Sequence, residues 1–233
     1  MARILTAHVS CPKHVACRLP AHAMRFRRRL LRWYARSQRR LPWRGIRDPY
    51  AVLVSEMMLQ QTQVSRVLDF YPRFLQRYPT LEDLAAAPAD AVRESWAGLG
   101  YYARARNLHA AACHVAEHCG GRLPDRPEEL RRLPGVGRYT AGAVASLAFG
   151  ADVAAVDTNA ARVLARVFRV RGRKGTARRE RRLWALATAL VPRGRSADWN
   201  QALMELGATI CTARAPRCPA CPVRPVCATT RAP

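Results

Sequence analysis

The chain has 233 residues, of which 49% are hydrophobic, 24% charged and 7% aromatic. This balance is ordinary for a globular protein with a substantial core, and it argues against a disordered chain or a coiled coil. No run of about 18 apolar residues is present to span a membrane, so we expect a soluble protein without a membrane partner. The unusual figure is 40 basic against 16 acidic residues, a formal charge of +24, which points to a polyanionic partner such as nucleic acid.

The N-terminal stretch, residues 1–23, is basic and lacks the continuous apolar core and the cleavage site of a secretory signal. We expect it to be a disordered extension. Apolar periodicity then predicts helices along almost the whole chain. The first contains Phe26 and ends near Leu41 and Pro42, and the second runs from about Tyr50 to Asp69.

Further helices are predicted in the LEDLAAA segment and after a series of starting residues, namely Pro88, Arg104, Pro127, Tyr139, Asp157 and Arg178. Short connectors containing Pro or Gly separate these helices, and no convincing alternation of apolar and polar residues indicates a strand. The predicted fold class is therefore all-α.

Four of the eight cysteines lie near the C-terminus with the spacing C-x6-C-x2-C-x5-C: Cys211, Cys218, Cys221 and Cys227. Their interleaving with prolines suits a compact loop closed on a metal better than a disulfide lattice. One C-x2-C pair flanked by wider gaps favours an iron-sulfur cluster. A zinc site, and cysteines that are free or disulfide-bonded, remain open on spacing alone.

The segment Leu133–Thr140 reads LPGVGRYT and lies between two predicted helices. Its two glycines allow a tight turn, so the backbone N–H groups of Gly135, Val136 and Gly137 can converge at a helix N-terminus and hold a phosphate oxygen of DNA. A plain helix-helix turn with a glycine C-cap is the alternative on this motif alone.

These segments together resemble a known family. The hairpin LPGVGRYTAGAVASLAFG, the segment VDTNAARVLARVF, and WNQALMELGATIC before the cysteine loop are similar to the helix-hairpin-helix DNA glycosylases that include endonuclease III. The segments LPWR, DPY, SEMMLQQTQV and GLGYYARARNL narrow the resemblance, which covers about residues 24–227, to MutY-type adenine glycosylases.

The resemblance implies two helical lobes, with double-stranded DNA and an extruded base between them, and a [4Fe-4S] cluster held by the four cysteines of the C-terminal loop. Residues 24–49 and 157–227 would form the cluster lobe. Residues 50–156 would form a helical barrel lobe that contains the helix-hairpin-helix, at about 127–150, and residues 228–233 a tail. We expect a monomer that acts on DNA containing a mispair, in the cytoplasm and at the nucleoid of a bacterium.

Hydrolysis of an N-glycosidic bond needs a protonated leaving base and a stabilised sugar cation, so two carboxyl groups are expected. Glu56 has apolar neighbours that should raise its pKa, and the matching Glu of the family protonates adenine. Asp157 precedes a predicted helix, where a cap role is the simpler interpretation. Backbone donors there would also hold it ionised, and the resemblance makes it the essential Asp, with Asn159 near the sugar.

Family members that also cut the strand carry a Lys directly after the hairpin, whose amine forms a Schiff base with the sugar. This chain has Tyr139 at that position and only two lysines. We therefore predict a glycosylase without efficient lyase activity.

Extraction of a base from a duplex leaves a gap that a side chain must fill. The residues that match the family's wedge are Gln60, Gln61 and Thr62 in one segment and Tyr101 in another; we choose Gln61 and Tyr101 as the intercalators. Tyr102 is interpreted as a core aromatic. The resemblance also predicts an adenine pocket lined by Trp43, Arg44 and Gln201.

Typical MutY-type enzymes continue into a Nudix-like domain that helps to recognise 8-oxoguanine, whereas this sequence ends at Pro233. Thymine mismatch glycosylases of the same superfamily have this length and carry Glu and Tyr at the positions of Glu56 and Tyr139. LQQTQV and GLGYYARARNL favour adenine opposite 8-oxoguanine or guanine. The alternatives are removal of thymine or uracil from mispairs with guanine, and a DNA-binding protein without catalysis.

The positive charge is unevenly distributed. Residues 1–44 hold 12 basic and no acidic residues, and residues 162–195 hold 12 basic and one acidic residue, so the remainder is almost neutral. We therefore expect non-specific DNA affinity to depend steeply on salt and to come largely from the predicted cluster lobe.

Overall fold

The computed structural model describes residues 19–230. Within this range the chain forms eleven α-helices and two short 3-10 helices and no strand, which confirms the all-α prediction. In chain order the α-helices are Ala21–Ser37 (α1), Pro49–Leu59 (α2), Val64–Arg77 (α3), Leu81–Ala86 (α4), Ala89–Ser95 (α5), Ala103–His118 (α6), Pro127–Leu130 (α7), Arg138–Leu147 (α8), Thr158–Val167 (α9), Ala177–Leu190 (α10) and Ser196–Thr209 (α11). The 3-10 helices Cys218–Ala220 and Arg224–Val226 lie in the cysteine loop.

Three predicted boundaries differ from the structure. The helix expected from Tyr50 to Asp69 is two helices, because the chain turns at Gln61, whose φ is +56°. The first helix ends at Ser37, earlier than predicted, because Gln38 is extended. Most of the expected disordered extension, residues 1–18, lies outside the described residues, but its last part is ordered: α1 begins at Ala21, and Ala23 is buried.

The described residues build two hydrophobic cores. Helices α2 to α8 supply the first, in which α2 is buried on nearly all sides and Trp96 and Phe74 pack edge to face. Helices α1, α9, α10 and α11 and the end of the cysteine loop supply the second, around Phe26 and Trp199. The amphipathic pattern of α1, α9 and α10 follows from this, since each turns one apolar stripe inward; most arginines of α1 and α10 are exposed, whereas Arg162 and Arg166 of α9 are half-buried.

The two cores meet at α11. The buried amide of Asn200 accepts a hydrogen bond from Ala155 N (3.0 Å) and donates to Ser146 Oγ and to Val153 O (both 2.9 Å). At the same junction a Cβ added to Gly142 would lie 2.3 Å from Ala154 O, so α8 passes the chain there at a distance that only glycine permits. The hydrogen bonds of Asn200 hold α8 and the segment before α9 against α11.

Candidate active site

Glu56 lies in the middle of α2, whose N-terminus is capped by Asp48 through hydrogen bonds from Tyr50 N and Ala51 N. The Glu56 side chain is buried, and its Oε2 has no hydrogen-bond partner. Burial raises the pKa of Glu56 to about 7; the hydroxyl of Tyr139 lowers it in part, and the charge of Asp157 raises it further. A carboxyl group with this pKa can hold and give up a proton near neutrality.

Asp157 caps the N-terminus of α9, as its sequence position predicts. Its Oδ1 accepts a hydrogen bond from Ala160 N (2.6 Å) and its Oδ2 one from Asn159 Nδ2 (2.8 Å). Burial nevertheless raises the pKa of Asp157, because desolvation outweighs these donors and the charge of Arg162. The backbone and side-chain donors expected at this helix N-terminus are present and lower the pKa of Asp157, but they do so by less than burial raises it.

Asn159 is itself held by Arg162, whose Nη2 donates to Asn159 Oδ1 (2.6 Å) and to Gly207 O (2.8 Å). The Nε of Arg162 donates to Cys211 O (2.8 Å), at the start of the cysteine loop. A Cβ at Gly207 would lie 2.6 Å from the Cβ of Asn159, so α11 can approach this network only because residue 207 is glycine.

Tyr139 lies in the first turn of α8 and is partly buried. Its hydroxyl donates to Met204 Sδ (3.2 Å), and burial together with the charges of Glu56 and Asp157 raises its pKa well above the ordinary value. Of the two lysines in the chain, Lys174 is exposed in the loop between α9 and α10, and Lys13 lies outside the described residues. The candidate site thus contains a neutral tyrosine close enough to both carboxyl groups for their charges to raise its pKa.

The predicted wedge residues lie on two turns. Gln61 is exposed at the turn after α2, where Gln60 Nε2 donates to Thr140 Oγ1 (3.4 Å) and Thr62 Oγ1 donates to Gln60 O (3.3 Å). Tyr101 is 59% exposed before α6, with φ +49°. Gln61 and Tyr101 are therefore both presented on the surface, as an intercalating residue requires.

The interpretation of Tyr102 as a core aromatic is wrong, because its side chain is 42% exposed. The residue before it, Tyr101, adopts positive φ, and residues 101–103 of this turn ahead of α6 are all exposed. A pair of adjacent tyrosines in sequence does not reveal such a turn.

The hairpin between α7 and α8 turns at Gly135, whose φ is +73° and whose missing side chain leaves room for Asn107. The N–H of Val136 donates to Leu133 O (3.1 Å), and the Val136 side chain is buried. Val136 therefore anchors the turn. The expectation that its N–H binds a phosphate is wrong, because this N–H is already bonded to Leu133 O. Among the described residues no backbone acceptor engages the N–H groups of Gly135 and Gly137.

The three residues predicted for the adenine pocket make different contacts. Trp43 is buried in the first core with its ring edge against Tyr71, although the sequence assigns it to the other lobe. Arg44 forms an ion pair with Glu205 and donates to Arg39 O (2.9 Å). Gln201 is partly buried on α11 and accepts a hydrogen bond from the hydroxyl of Tyr34.

The four cysteines predicted as ligands line one cavity of about 260 Å³ beside α9 and α11. All four are free thiols, and Arg166 Nη1 donates to Cys211 Sγ (3.4 Å) and to Thr212 O (2.7 Å). No three His, Cys, Asp or Glu side chains of the described part of the chain are grouped closely enough to hold one metal ion. No described helix is long and apolar enough to cross a membrane.

Sequence reasoning missed two buried charges. Glu205 on α11 pairs with Arg39 and Arg44, which lower its pKa to about 2 against the effect of burial. A lone Glu inside the apolar run ALMELGAT is a usable signal for such a residue. Arg104 is buried near the wedge turns, but nothing in the sequence separates it from the other basic residues.

Residues 54–188 match the family model described as HhH-GPD superfamily base excision DNA repair protein. The chain is 49% identical over 216 residues to the adenine DNA glycosylase of Homo sapiens, covering 89% of this chain and 40% of that protein. It is 47% identical over 192 residues to the adenine DNA glycosylase of Mycobacterium tuberculosis, covering 81% and 62%. The chain therefore spans less than two thirds of the length of these curated relatives.

Two solved structures share the fold over almost their whole length. A thermostable thymine-DNA glycosylase is 33% identical, with a TM-score of 0.81, and the match covers 90% of this chain and 96% of that one. A non-covalent endonuclease III-DNA complex is 24% identical, with a TM-score of 0.75, covering 91% and 97%. The second likeness supports the two-lobed fold alone.

Proposed function

Because the chain belongs to the HhH-GPD superfamily of base excision DNA repair proteins, we propose that it hydrolyses the N-glycosidic bond of adenine mispaired with 8-oxoguanine or guanine in double-stranded DNA. The curated relatives named above, which are adenine DNA glycosylases, share more identical residues with this chain than the thymine-DNA glycosylase does. That difference favours adenine over thymine or uracil.

The observation that carries this proposal is the buried Glu56, with one unpartnered carboxyl oxygen and a pKa of about 7. Its proton would pass to the ring of the departing adenine, which leaves as a neutral base. Asp157, held by Ala160 N and Asn159, would face the positive charge that develops on the sugar. Water then adds at the sugar carbon and gives up a proton, which would return to the Glu56 carboxylate and complete the hydrolysis.

Base extraction would use the two exposed turns. Gln61 and Tyr101 would occupy the gap in the duplex, while the N–H groups of Gly135 and Gly137 meet a phosphate at the N-terminus of α8. Trp43, Arg44 and Gln201 remain proposed pocket residues; of these, Gln201 is on the same helix as Met204, which contacts Tyr139.

We further propose that the cysteine loop holds a [4Fe-4S] cluster. Tetrahedral zinc would need its four sulfurs within about 4 Å of one another, since each Zn–S bond is about 2.3 Å long. The four cysteines line a cavity of about 260 Å³, and no three metal-binding side chains of the described residues are close enough to hold a single ion, which favours a group of several atoms. The cluster would hold the loop against α9 and α11; absorbance at about 400 nm from iron-thiolate bonds, lost when Cys221 is replaced by Ser, would identify it.

One panel of duplexes tests the reaction. Purified protein is incubated with labelled duplexes carrying A:8-oxoguanine, A:G, T:G and U:G, and alkali then cleaves any abasic site. We expect adenine release from the first two and none from Asp157→Asn. Release of only thymine or uracil would select the alternative enzyme, and binding without release from any duplex would select a non-enzymatic DNA-binding protein.

The absence of an amine at residue 139 predicts a monofunctional enzyme. Borohydride, which reduces a Schiff base to a stable bond, should trap no covalent complex between the protein and the adenine-containing duplex. Strand breaks without alkali should also be absent. A trapped complex would contradict this proposal and would point to an amine elsewhere in the chain.

A further inference from the structure

Arg104, in the first turn of α6, joins two separate turns of the chain. Its side chain is buried, and one terminal nitrogen, Nη1, donates to the last carbonyls of α2 and to the turn that follows, while the other, Nη2, donates to the turn before α6. The acceptors are Met57 O (3.1 Å), Met58 O (2.7 Å), Gln60 O, Leu99 O (3.3 Å) and Gly100 O (3.0 Å).

Each of these turns carries one of the exposed wedge residues, in a backbone conformation that is costly without support. Gln61 has φ +56° and Tyr101 has φ +49°, and only one other non-glycine residue of the described chain, Arg169, has positive φ. Residues with a side chain are strained in this conformation, and they persist in it where their surroundings hold them. The guanidinium group of Arg104 provides this support for both turns, and it also lies 5.4 Å from the centre of the Tyr101 ring.

We propose that Arg104 is a positioning residue that couples the two turns, so that Gln61 and Tyr101 enter the duplex as one preformed wedge. This inference rests on the proposed base extraction. Arg104 contacts neither the base nor the sugar, since its side chain is buried behind the turns. Its planar fork is suited to carbonyls on two sides, whereas a lysine has one nitrogen and cannot reach both turns in the same way.

The first experiment compares Arg104→Lys with Arg93→Lys. Arg93 is an exposed residue of α5 that pairs with Asp90 and makes no hydrogen bond to either turn among the described residues. The concentration of active sites in each variant is first taken from the burst amplitude with the A:8-oxoguanine duplex in excess. The rate is then measured in single turnovers, with active sites in excess over the same duplex. We expect about a tenfold lower rate for Arg104→Lys and no change for Arg93→Lys. Equal rates per active site would overturn the proposal.

A second measurement separates positioning from a general loss of folding. In a Tyr101→Ala background the wedge is already incomplete, so Arg104→Lys should lower the rate by about twofold or less instead of tenfold. In a duplex that already holds an abasic-site analogue, no base has to be extracted, and affinity should stay within about threefold of wild type. A full tenfold loss in the Tyr101→Ala background would show that Arg104 does not act through the wedge.

The outcome for the wild-type protein keeps the two proposals apart. If the wild-type protein releases no base from any duplex, the proposed function fails. If it releases adenine and Arg104→Lys does so at the same rate per active site, only the positioning role fails.

Discussion

At the scale of single residues, the burial that raises the pKa of Glu56 also lowers the free energy of unfolding at high pH. This pKa is about 7 in the folded protein and returns to its ordinary value when the chain unfolds. Between about pH 4.5 and pH 7 the folded state therefore binds more protons than the unfolded state, and the free energy of unfolding falls as pH rises through this window. The loss is complete above about pH 7 and amounts to about 3 kcal/mol.

Glu56→Gln should therefore stabilise the protein at high pH while it removes the proposed proton donor. We expect a higher melting temperature than wild type at about pH 8, with a difference that shrinks towards about pH 5. The rate of adenine release should fall about 10² to 10⁴-fold. Exposed Glu94 offers the control, since Glu94→Gln should change neither quantity. A variant that melts below wild type at both pH values would contradict the assigned protonation.

The same two carboxyl groups predict how the rate depends on pH. The proposed reaction needs Glu56 protonated, so the single-turnover rate should fall above about pH 7, by about tenfold per unit once the group is mostly ionised. Asp157 must be ionised, and its raised pKa places the acid limb of the profile above the range of an ordinary aspartate. A rate that is constant from about pH 7 to pH 9 would argue against Glu56 as the acid.

At the scale of elements, the contact between α9 and α11 holds Asp157 and Asn159 in place. Gly207→Ala would bring a methyl group to 2.6 Å from the Cβ of Asn159 and to 2.9 Å from its backbone. We expect a loss of about 1 to 3 kcal/mol in stability and a lower rate of base release, measured by thermal melting and single turnovers. Ala208→Ser, at the exposed neighbouring position, should leave both unchanged. Unaltered activity in Gly207→Ala would mean that the helices can separate without moving Asp157.

Glu205 joins α11 to the segment that follows α1, through Arg39 and Arg44. Its pKa is lowered to about 2, so its stabilising contribution is present above its ordinary pKa and is lost as pH falls towards 2. Glu205→Gln should lower the free energy of unfolding by about 3 kcal/mol at neutral pH, near the lower end for a buried pair because Arg39 is 39% exposed. Chemical denaturation should show this deficit narrowing below about pH 4. A deficit that stays constant down to about pH 2 would exclude an ionic origin.

Local sequence predicts some elements of this fold better than others. The cap at Asp157 is correctly predicted because an N-cap depends on residues within one turn. The predicted helix from Tyr50 to Asp69 is wrong because the chain turns at Gln61, where Arg104, more than forty residues further on, donates hydrogen bonds to the carbonyls of Met58 and Gln60. Periodicity cannot detect a partner so distant in the chain.

At the scale of the whole molecule, positive charge gathers around the second core. Arginines cover the outer faces of α1 and α10, whereas α4 to α7 of the first core together carry more acidic than basic residues. The side of the protein that contains the cysteine loop should therefore supply most of the non-specific attraction to DNA.

The salt dependence of binding tests this division. Replacement of three exposed arginines of α10, Arg178, Arg181 and Arg182, by Gln should reduce the slope of log K against log salt by up to about 0.9 per lost phosphate contact. The matched control replaces three exposed arginines on the surface around the first core, Arg93, Arg122 and Arg126, by Gln and should leave the slope nearly unchanged. Binding to an undamaged duplex is followed by fluorescence anisotropy. Equal reductions of this slope in both variants would contradict the proposal that the side with the cysteine loop supplies most of the attraction to DNA.

The sequence by itself determined the all-α class, the family, and the position of Asp157 at a helix N-terminus, because periodicity, motif spacing and caps are local properties of the chain. Only the tertiary structure decided that Glu56 has a pKa of about 7, that burial outweighs the donors at Asp157, and that Val136 is an anchor of its turn. The roles of Arg104 and Glu205 as buried connectors likewise emerged only there. Desolvation and hydrogen-bond partners come from residues far apart in the chain, and they exist only once the helices have packed.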